Sequence, residues 1–304
     1  MNFELPLHMI DVFKIWGVGS GIALVFALFS EMFLRRQEKQ KLLPKDAIAN
    51  AVFFSFGPPL LEAVITNALL IAALFVVFQL TPLRVSITPW TLVLYFLVGE
   101  FSFYWAHRLG HEVRILWCDH SIHHSSQEYD VTTNLRHTPF MFLYRVIAYA
   151  PAVALGFHPV LLVMFAINAS AFQTFCHTQR LGRFAPWFEK TFVTPSNHIV
   201  HHACNPEYLD KNYGGLLVLW DRIFGSYQPL LDTVPAKFGI TKQVNSSNPV
   251  TIVTHEFKNL WRDFSAAPTW RLKFGVVFGR PGKTFEAGDK NKAAEAINGP
   301  LGAN

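Results

Sequence analysis

The sequence predicts an all-α integral membrane protein with about four to five transmembrane helices, including a tight helical hairpin, and a cytoplasmic cap of histidine-rich helices. Three observations predict it. Of 304 residues, 51% are hydrophobic and 15% charged, against about 25% charged in soluble domains; Phe alone supplies 29 residues. The apolar residues fall into runs long enough to cross a bilayer. Nine of the thirteen histidines crowd into two short segments, 107–124 and 177–202.

Each span has its own signal. Residues 15–30 carry no charge and end at Glu31, followed by Arg35 and Arg36. Residues 47–83 contain one ionisable group, Glu62, and a Gly57-Pro58-Pro59 break, which predicts a second span at about 60–80. Residues 85–99 are uncharged and continue into FSFYWAHR, a third span near 88–106. Residues 138–176 hold a single charge, Arg145, and are interrupted by Gly156-Phe157-His158-Pro159. That pattern predicts a hairpin of two spans, 139–156 and 159–176. Each would be roughly 27 Å long, barely enough to cross, and a re-entrant hairpin is the alternative.

Charge sets the orientation. LRRQEKQKLLPKD after the first span carries five Lys/Arg, while the loop after the second has only Arg84 and the hairpin tip has none. The positive-inside rule therefore puts residues 34–50 in the cytoplasm and the N-terminus opposite. Counting onward, 107–138 and 177–304 are also cytoplasmic, so both histidine-rich stretches share one face. The expected organisation is membrane helices with a basic loop over 1–87, a catalytic domain over 88–230, an interfacial tail over 231–282 and a disordered end over 283–304. In the tail, Val253, Phe257, Leu260, Trp261 and Phe264 make one helical stripe, suited to a membrane surface. The net charge of +5 includes no basic block beside a recognition motif, which excludes a nucleic-acid binder. A basic n-region and a small-residue cleavage site are both missing near the start, so no cleaved signal peptide is expected.

Cys118, Cys176 and Cys204 form no C-x-x-C pair. They read as small buried thiols beside a crowded site, in a reducing compartment.

The histidines carry the chemistry. HRLGH sets His107 and His111 at i, i+4, and the boxes HSIHH and HIVHH set His120, His123, His124 and His198, His201, His202 at i, i+3, i+4. On a helix each set projects from one face. Neutral imidazole is the commonest side-chain ligand for Fe, Zn and Cu. Eight such ligands suit two metals, and His177, ending the fifth span, would be a ninth. HEVRI begins like the zinc-protease motif H-E-x-x-H but ends in Ile115, so that motif fails. Glu100, on the stripe Glu100–Tyr104–His107–His111, is expected to accept a hydrogen bond from a ligand ring, with Asp119, Glu112 and Asp221 as weaker candidates for the same role. His137 lies on the same side as the boxes, as a residue bracing the site. His8, His158 and His255 are assigned no chemistry.

The strings EFSFYWAHRLGH, HSIHHSSQEYDVTTNLR, PSNHIVHHACNPEYLDKNYGG and LLVLWDRIFGSY resemble the fatty acid hydroxylase/sterol desaturase superfamily, nearest its alkylglycerol monooxygenase-like and bacterial "sterol desaturase family protein" branch. The resemblance covers about 95–282. It implies a diiron centre that uses O2 and two external electrons on an unactivated lipid C–H bond, with zinc able to replace iron on purification. By motif, His107, His111, His120, His123, His124, His198, His201 and His202 would be ligands, and His177 matches a further family histidine. One departure is that many members read Arg-x-His-Pro where this chain has Arg136-His137-Thr138-Pro139.

No flavin, nicotinamide or haem motif is present, so electrons would come from a separate reductase, cytochrome b5 or ferredoxin-like protein, or from a tetrahydropterin. The lipid, whether fatty acyl, alkyl ether or sterol-like, would enter from the bilayer. A desaturase using the same centre is the main alternative to a hydroxylase, and a metal transporter or other metal-binding membrane protein is the remote one. A transporter needs ligands strung across the bilayer, whereas these gather at one face. A bacterial inner membrane is favoured over an endoplasmic reticulum.

Overall fold

The computed structural model describes residues 25–26, 28–38, 45–56, 59–136 and 140–282, without the side chains of 51–64. His8, His137, most of the expected first span and the 283–304 tail lie outside these residues. Among the described residues the regular elements are all helical, and extended pairing is confined to two isolated bridges, Phe192 with Leu217 and Ala203 with Phe238. The helices are α1 (Lys45–Phe56), α2 (Pro59–Leu80), α3 (Pro89–Glu112), α4 (Arg114–His124), α5 (Met141–Ala154), α6 (Pro159–Cys176), α7 (Pro186–Glu189), α8 (Pro195–His202), α9 (Leu219–Ile223), α10 (Pro249–Ala266) and α11 (Trp270–Phe278), with a 3-10 turn at Val131–Leu135.

Four of these match expected spans. Proline starts α2, α3 and α6, where its missing N–H costs nothing. Thr88 adds a reciprocal capping box with Thr91 at the head of α3. Gly156, at φ +95°, turns α5 into α6 in the left-handed region that glycine enters freely. Only α6, among the described helices, is both long and apolar enough to cross a membrane by itself; the apolar stretches Ile65–Leu80 and Met141–Ala154 are shorter. These helices pack on one another through Leu70, Leu74, Tyr95, Phe103, Tyr149, Val153 and Leu162, all buried. They also turn apolar side chains outward: Val76, Leu80, Trp90, Val93, Ile147 and Leu155 are all exposed.

α3 runs past its expected end, so that His107 and His111 sit on its last two turns. The chain then breaks at one residue, Val113, which adopts extended backbone between α3 and α4. Arg114 anchors the break: its amide donates to Gly279 O, and its buried guanidinium pairs with Asp263 of α10. The 249–266 helix therefore packs against the histidine-bearing α4, burying Ile252, Leu260 and Asp263 and leaving Trp261 exposed.

Both flanks of the basic loop pack on the histidine-rich segments. Arg35 pairs with Asp130, and Arg180 donates to Glu31. Asp46 accepts from Ser126, Gln127, Glu128 and the buried Arg136. Residues 31–38, residues 45–46 and the two histidine segments thus lie at one end of the bundle.

A strap, residues 211–217, threads between α3 and α6. Glu100 accepts from the amides of Leu216 and Leu217 at 2.8 and 2.9 Å, and Asp221 from those of Tyr213 and Gly214 at 2.7 and 2.8 Å. Gln173 of α6 donates to Gly214 O at 2.9 Å. A Cβ at Gly215 would lie 2.9 Å from Glu100 Oε1 and 3.0 Å from both Ala169 Cβ and Phe103 Cδ1. Gly215→Ala is accordingly expected to destabilise the protein by about 1–3 kcal/mol. Gly182→Ala, with nothing within 4 Å of its Cβ, should stay within about 0.5 kcal/mol of wild type. Thermal unfolding in detergent compares them, and equal midpoints for the two variants would show that the strap does not need the close approach.

Candidate metal centre

The break at Val113 folds α4 back along α3, and α8 closes over both. Nine histidines meet there, all of them buried. His107, His111, His120, His124 and His201 form one group whose candidate ligand atoms lie within 4.8 Å of one another, and His123, His177 and His202 form a second. His198 joins the second group, its Nε2 3.1 Å from His177 Nε2.

Helical geometry explains how the boxes divide. At 100° per residue, positions i and i+4 nearly align while i+3 diverges from i+4 by a quarter turn. His120 and His124 therefore face the first group and His123 the second. On α8 the assignment reverses, with His198 and His202 toward the second group and His201 toward the first. Each box contributes to both groups, which locks α4 and α8 across the centre.

Three rings have their tautomer set by the backbone. His107 Nδ1 lies 3.0 Å from Tyr213 O, His201 Nδ1 3.0 Å from Lys211 O and His177 Nδ1 2.8 Å from Gln173 O. A carbonyl can only accept, so each Nδ1 carries the proton and each neutral ring offers a lone pair at Nε2. The Lys211 and Tyr213 carbonyls reach two different helices because Asp210 and Asn212 adopt left-handed backbone, at φ 56° and 57°. Asn212 is suited to that region, and its side chain ties the loop to Asn197 O and to both the N–H and the C=O of Gln228.

The electrostatics call for a cation. Burial, with the neighbouring imidazoles, holds His124, His198 and His202 well below the usual imidazole pKa, and burial lowers His201 to about 4 despite its bond to Lys211 O. The rings are neutral near pH 7, as metal binding requires. His177 Nε2 has the Nε2 atoms of His123, His198 and His202 at 3.3, 3.1 and 3.1 Å. One lone pair cannot satisfy three such neighbours, whereas an ion among them accepts all four. His111 Nε2 and His201 Nε2 are buried without a hydrogen-bond partner. These residues fit a pair of transition metals held by imidazole alone.

Glu100 differs from expectation. Its carboxylate bonds Leu216 and Leu217, not a ring. Residues seven apart on a helix are separated by about 10 Å, beyond a carboxylate's reach to His107. Glu100 acts one step removed, holding the strap whose Tyr213 carbonyl meets that ring, and Asp221 does the same from the other side. Asp119 is buried with its charge beside Tyr144. Glu112 pairs with Arg108 and Arg280 at the periphery. His158 is buried against Phe75 and Phe78 at the far end of the bundle, and His255 Nδ1 bonds Ile252 O. Cys118 packs with Leu260, Ala267 and Val276, and burial pushes its thiol up to about 12. The Lys211, Tyr213 and Gln173 carbonyls escaped the sequence reading because a carbonyl has no residue signature; DKNYGG, with its left-handed Asn and paired glycines, was the available signal.

Two cavities flank the centre. One of about 220 Å³ beside α10 is lined by His111, His124, His201, His202, Trp117 and Arg114 among others. The other, of about 50 Å³, lies among α3–α6 and touches His107, His120, His123, His177 and His198.

Comparison with known proteins agrees with this geometry. Residues 92–226 match the fatty acid hydroxylase family. The chain is 36% identical over 195 residues to an alkylglycerol monooxygenase of Homo sapiens, covering 64% of this chain and 43% of that protein. The Xenopus tropicalis protein of the same name is 35% identical over 195 residues, with the same coverage. An ornithine lipid hydroxylase of Rhizobium tropici is 32% identical over 155 residues, covering 50% of this chain and 46% of that protein. The chain thus spans less than half the length of these relatives. No solved structure matches it.

Removing a ring from the second group should cost metal. His202→Ala is expected to lower the metal content of the purified protein, while His255→Ala leaves it at the wild-type level. Asp221→Asn, which turns an amide N–H donor toward the strap, should weaken metal retention against a chelator by roughly 10-fold. Elemental analysis after graded chelator exposure reads all three, and equal metal content in His202→Ala and wild type would remove the second group from the centre.

Proposed function

Residues 92–226 match the fatty acid hydroxylase family, and from that match we propose that the chain is a membrane-bound, non-haem diiron oxygenase that hydroxylates a C–H bond of a lipid. The observation that carries the reading is the division of nine buried imidazoles into adjoining groups of five and four, open to a cavity within the helix bundle. Names of the relatives, alkylglycerol monooxygenase and ornithine lipid hydroxylase, point the same way.

In this reading His107, His111, His120, His124 and His201 hold one iron, and His123, His177, His198 and His202 the other. When bound, the iron pair supplies the O2 chemistry, with the overall balance R–H + O2 + two electrons + two protons giving R–OH and water. The protein's own part is to fix the rings. Tyr213, Lys211 and Gln173 keep the lone pairs turned inward, and Asp221 and Glu100 keep the strap from shifting. The absence of any carboxylate among the assigned ligands leaves the centre with a high positive charge, which suits electron uptake from outside the chain. A separate redox protein or a tetrahydropterin would deliver those electrons from the cap side, through the larger cavity. The lipid would enter among α3–α6, whose outward faces carry exposed apolar side chains.

Membrane placement follows the same logic. We assign α2, α3, α5 and α6 to the bilayer, and place the histidine centre and the basic loop on the cytoplasmic face. A bacterial inner membrane is the favoured location.

The test is isotopic. Protein purified with iron should hold about two metals per chain, and with 18O2, lipid extract and a reductant it should place one 18O atom in a lipid hydroxyl. Label from water instead of O2 would contradict an oxygenase, and a new double bond without label would indicate a desaturase.

A further inference from the structure

Arg145 is the only Asp, Glu, Lys or Arg between residues 138 and 176. It lies on α5, in a segment assigned to the bilayer, where a charge is costly and persists for a function or a partner. The guanidinium lines the bundle-side cavity together with His107, His120, His123, His177 and His198. Among the described residues its hydrogen-bond partner is Ser170 Oγ of α6, at 3.4 Å from Nη2, and no carboxylate pairs with it. The neighbouring polar side chains are committed elsewhere: Gln173 donates to Gly214 O, and Asn134 donates to Thr174 Oγ1. A guanidinium keeps its charge at any physiological pH and offers a planar fork that matches carboxylate or phosphate oxygens. Half-buried beside five of the histidines, it has no carboxylate partner among the described residues.

Resting on the oxygenase reading above, we propose that Arg145, assisted by Ser170, binds an anionic oxygen of the substrate's polar end, and so makes this enzyme select lipids with an acidic head. The consequence for regiochemistry follows from the position of the site. Arg145 shares a cavity of about 50 Å³ with five of the histidines, a space for a few heavy atoms and not for an acyl chain. The polar end therefore sits against the metal centre while the chain runs outward between the helices. Oxidation falls within a few bonds of the head, not at the far end of the chain. Phosphate and carboxylate share the required chemistry, and the choice of lipids in the test separates them.

The experiment uses the full-length, iron-loaded protein and three lipids of equal chain length: a 1-alkyl lysophosphatidate, a fatty acid and a neutral 1-alkylglycerol. Binding is read by native mass spectrometry from equimolar mixtures, and the oxidised carbon is located by fragmentation of the product. Wild type should retain an acidic lipid in preference to the neutral one, and whichever acid dominates identifies the head. Arg145→Met should reduce that preference by about 10-fold or more, with Arg145→Lys intermediate because it keeps the charge and loses the fork. Ser170→Ala, a milder change, should reduce it in the same direction. No preference in wild type, or a preference that survives in Arg145→Lys and Ser170→Ala and in any Arg145→Met that folds, overturns the proposal, as does oxidation at the far end of the chain. The oxygenase reading fails separately: acidic-lipid binding that depends on Arg145, with no oxygen incorporated by iron-loaded wild type, contradicts that reading and leaves this one standing.

Discussion

Three hydrogen bonds from imidazole to backbone carbonyl hold the rest of the centre in register. His107 to Tyr213, His201 to Lys211 and His177 to Gln173 each fix a tautomer and leave a lone pair at Nε2 facing inward. Two of the three carbonyls belong to one short strap, held by Glu100 from α3 and by Asp221 beyond it. The acids thus act through the backbone. Ordinary carbonyls orient ligands from helices far apart in sequence. The paired glycines follow from the same demand, since any side chain at 215 would meet the Glu100 carboxylate.

From that anchoring the functional geometry follows. α3 delivers His107 and His111 on its last turns, the Val113 break returns α4 alongside, and the H-x-x-H-H spacing splits each box between the two groups. Two cavities flank the centre, one lined in part by α10 and the other by the α3–α6 helices. In the oxygenase reading, electrons arrive through the cap and the lipid through the bundle. The two supplies never compete for one entrance.

Much of this was legible in the residues. The α2, α3, α5 and α6 helices fall close to the apolar runs that predict them, because a run bounded by Pro or Gly leaves little freedom in where a helix starts. The nine histidines were legible for a different reason: i, i+3, i+4 spacing is a statement about one helix face, and it survives whatever the tertiary fold does. What was hidden depends on contacts distant in sequence. Val113 carries no breaker signal, and its extended backbone is imposed by Arg114 reaching Asp263 and Gly279, about 150 residues on. Glu100 was expected to accept from a ligand ring, yet its carboxylate meets two amides on a strap more than a hundred residues away. The amphipathic stripe at 252–264 marked a helix, but periodicity alone did not show that it would pack on α4.

The central claim is that two metals are held by imidazole nitrogen alone, in adjoining groups of five and four. X-ray absorption at the iron edge of the reduced, anaerobic protein tests it most directly. The account predicts a nitrogen-only protein shell with the multiple-scattering signature of several imidazoles per iron, and a second metal detectable beyond it. A sulfur shell from Cys118, Cys176 or Cys204, a carboxylate bridge, or an isolated single iron would contradict it.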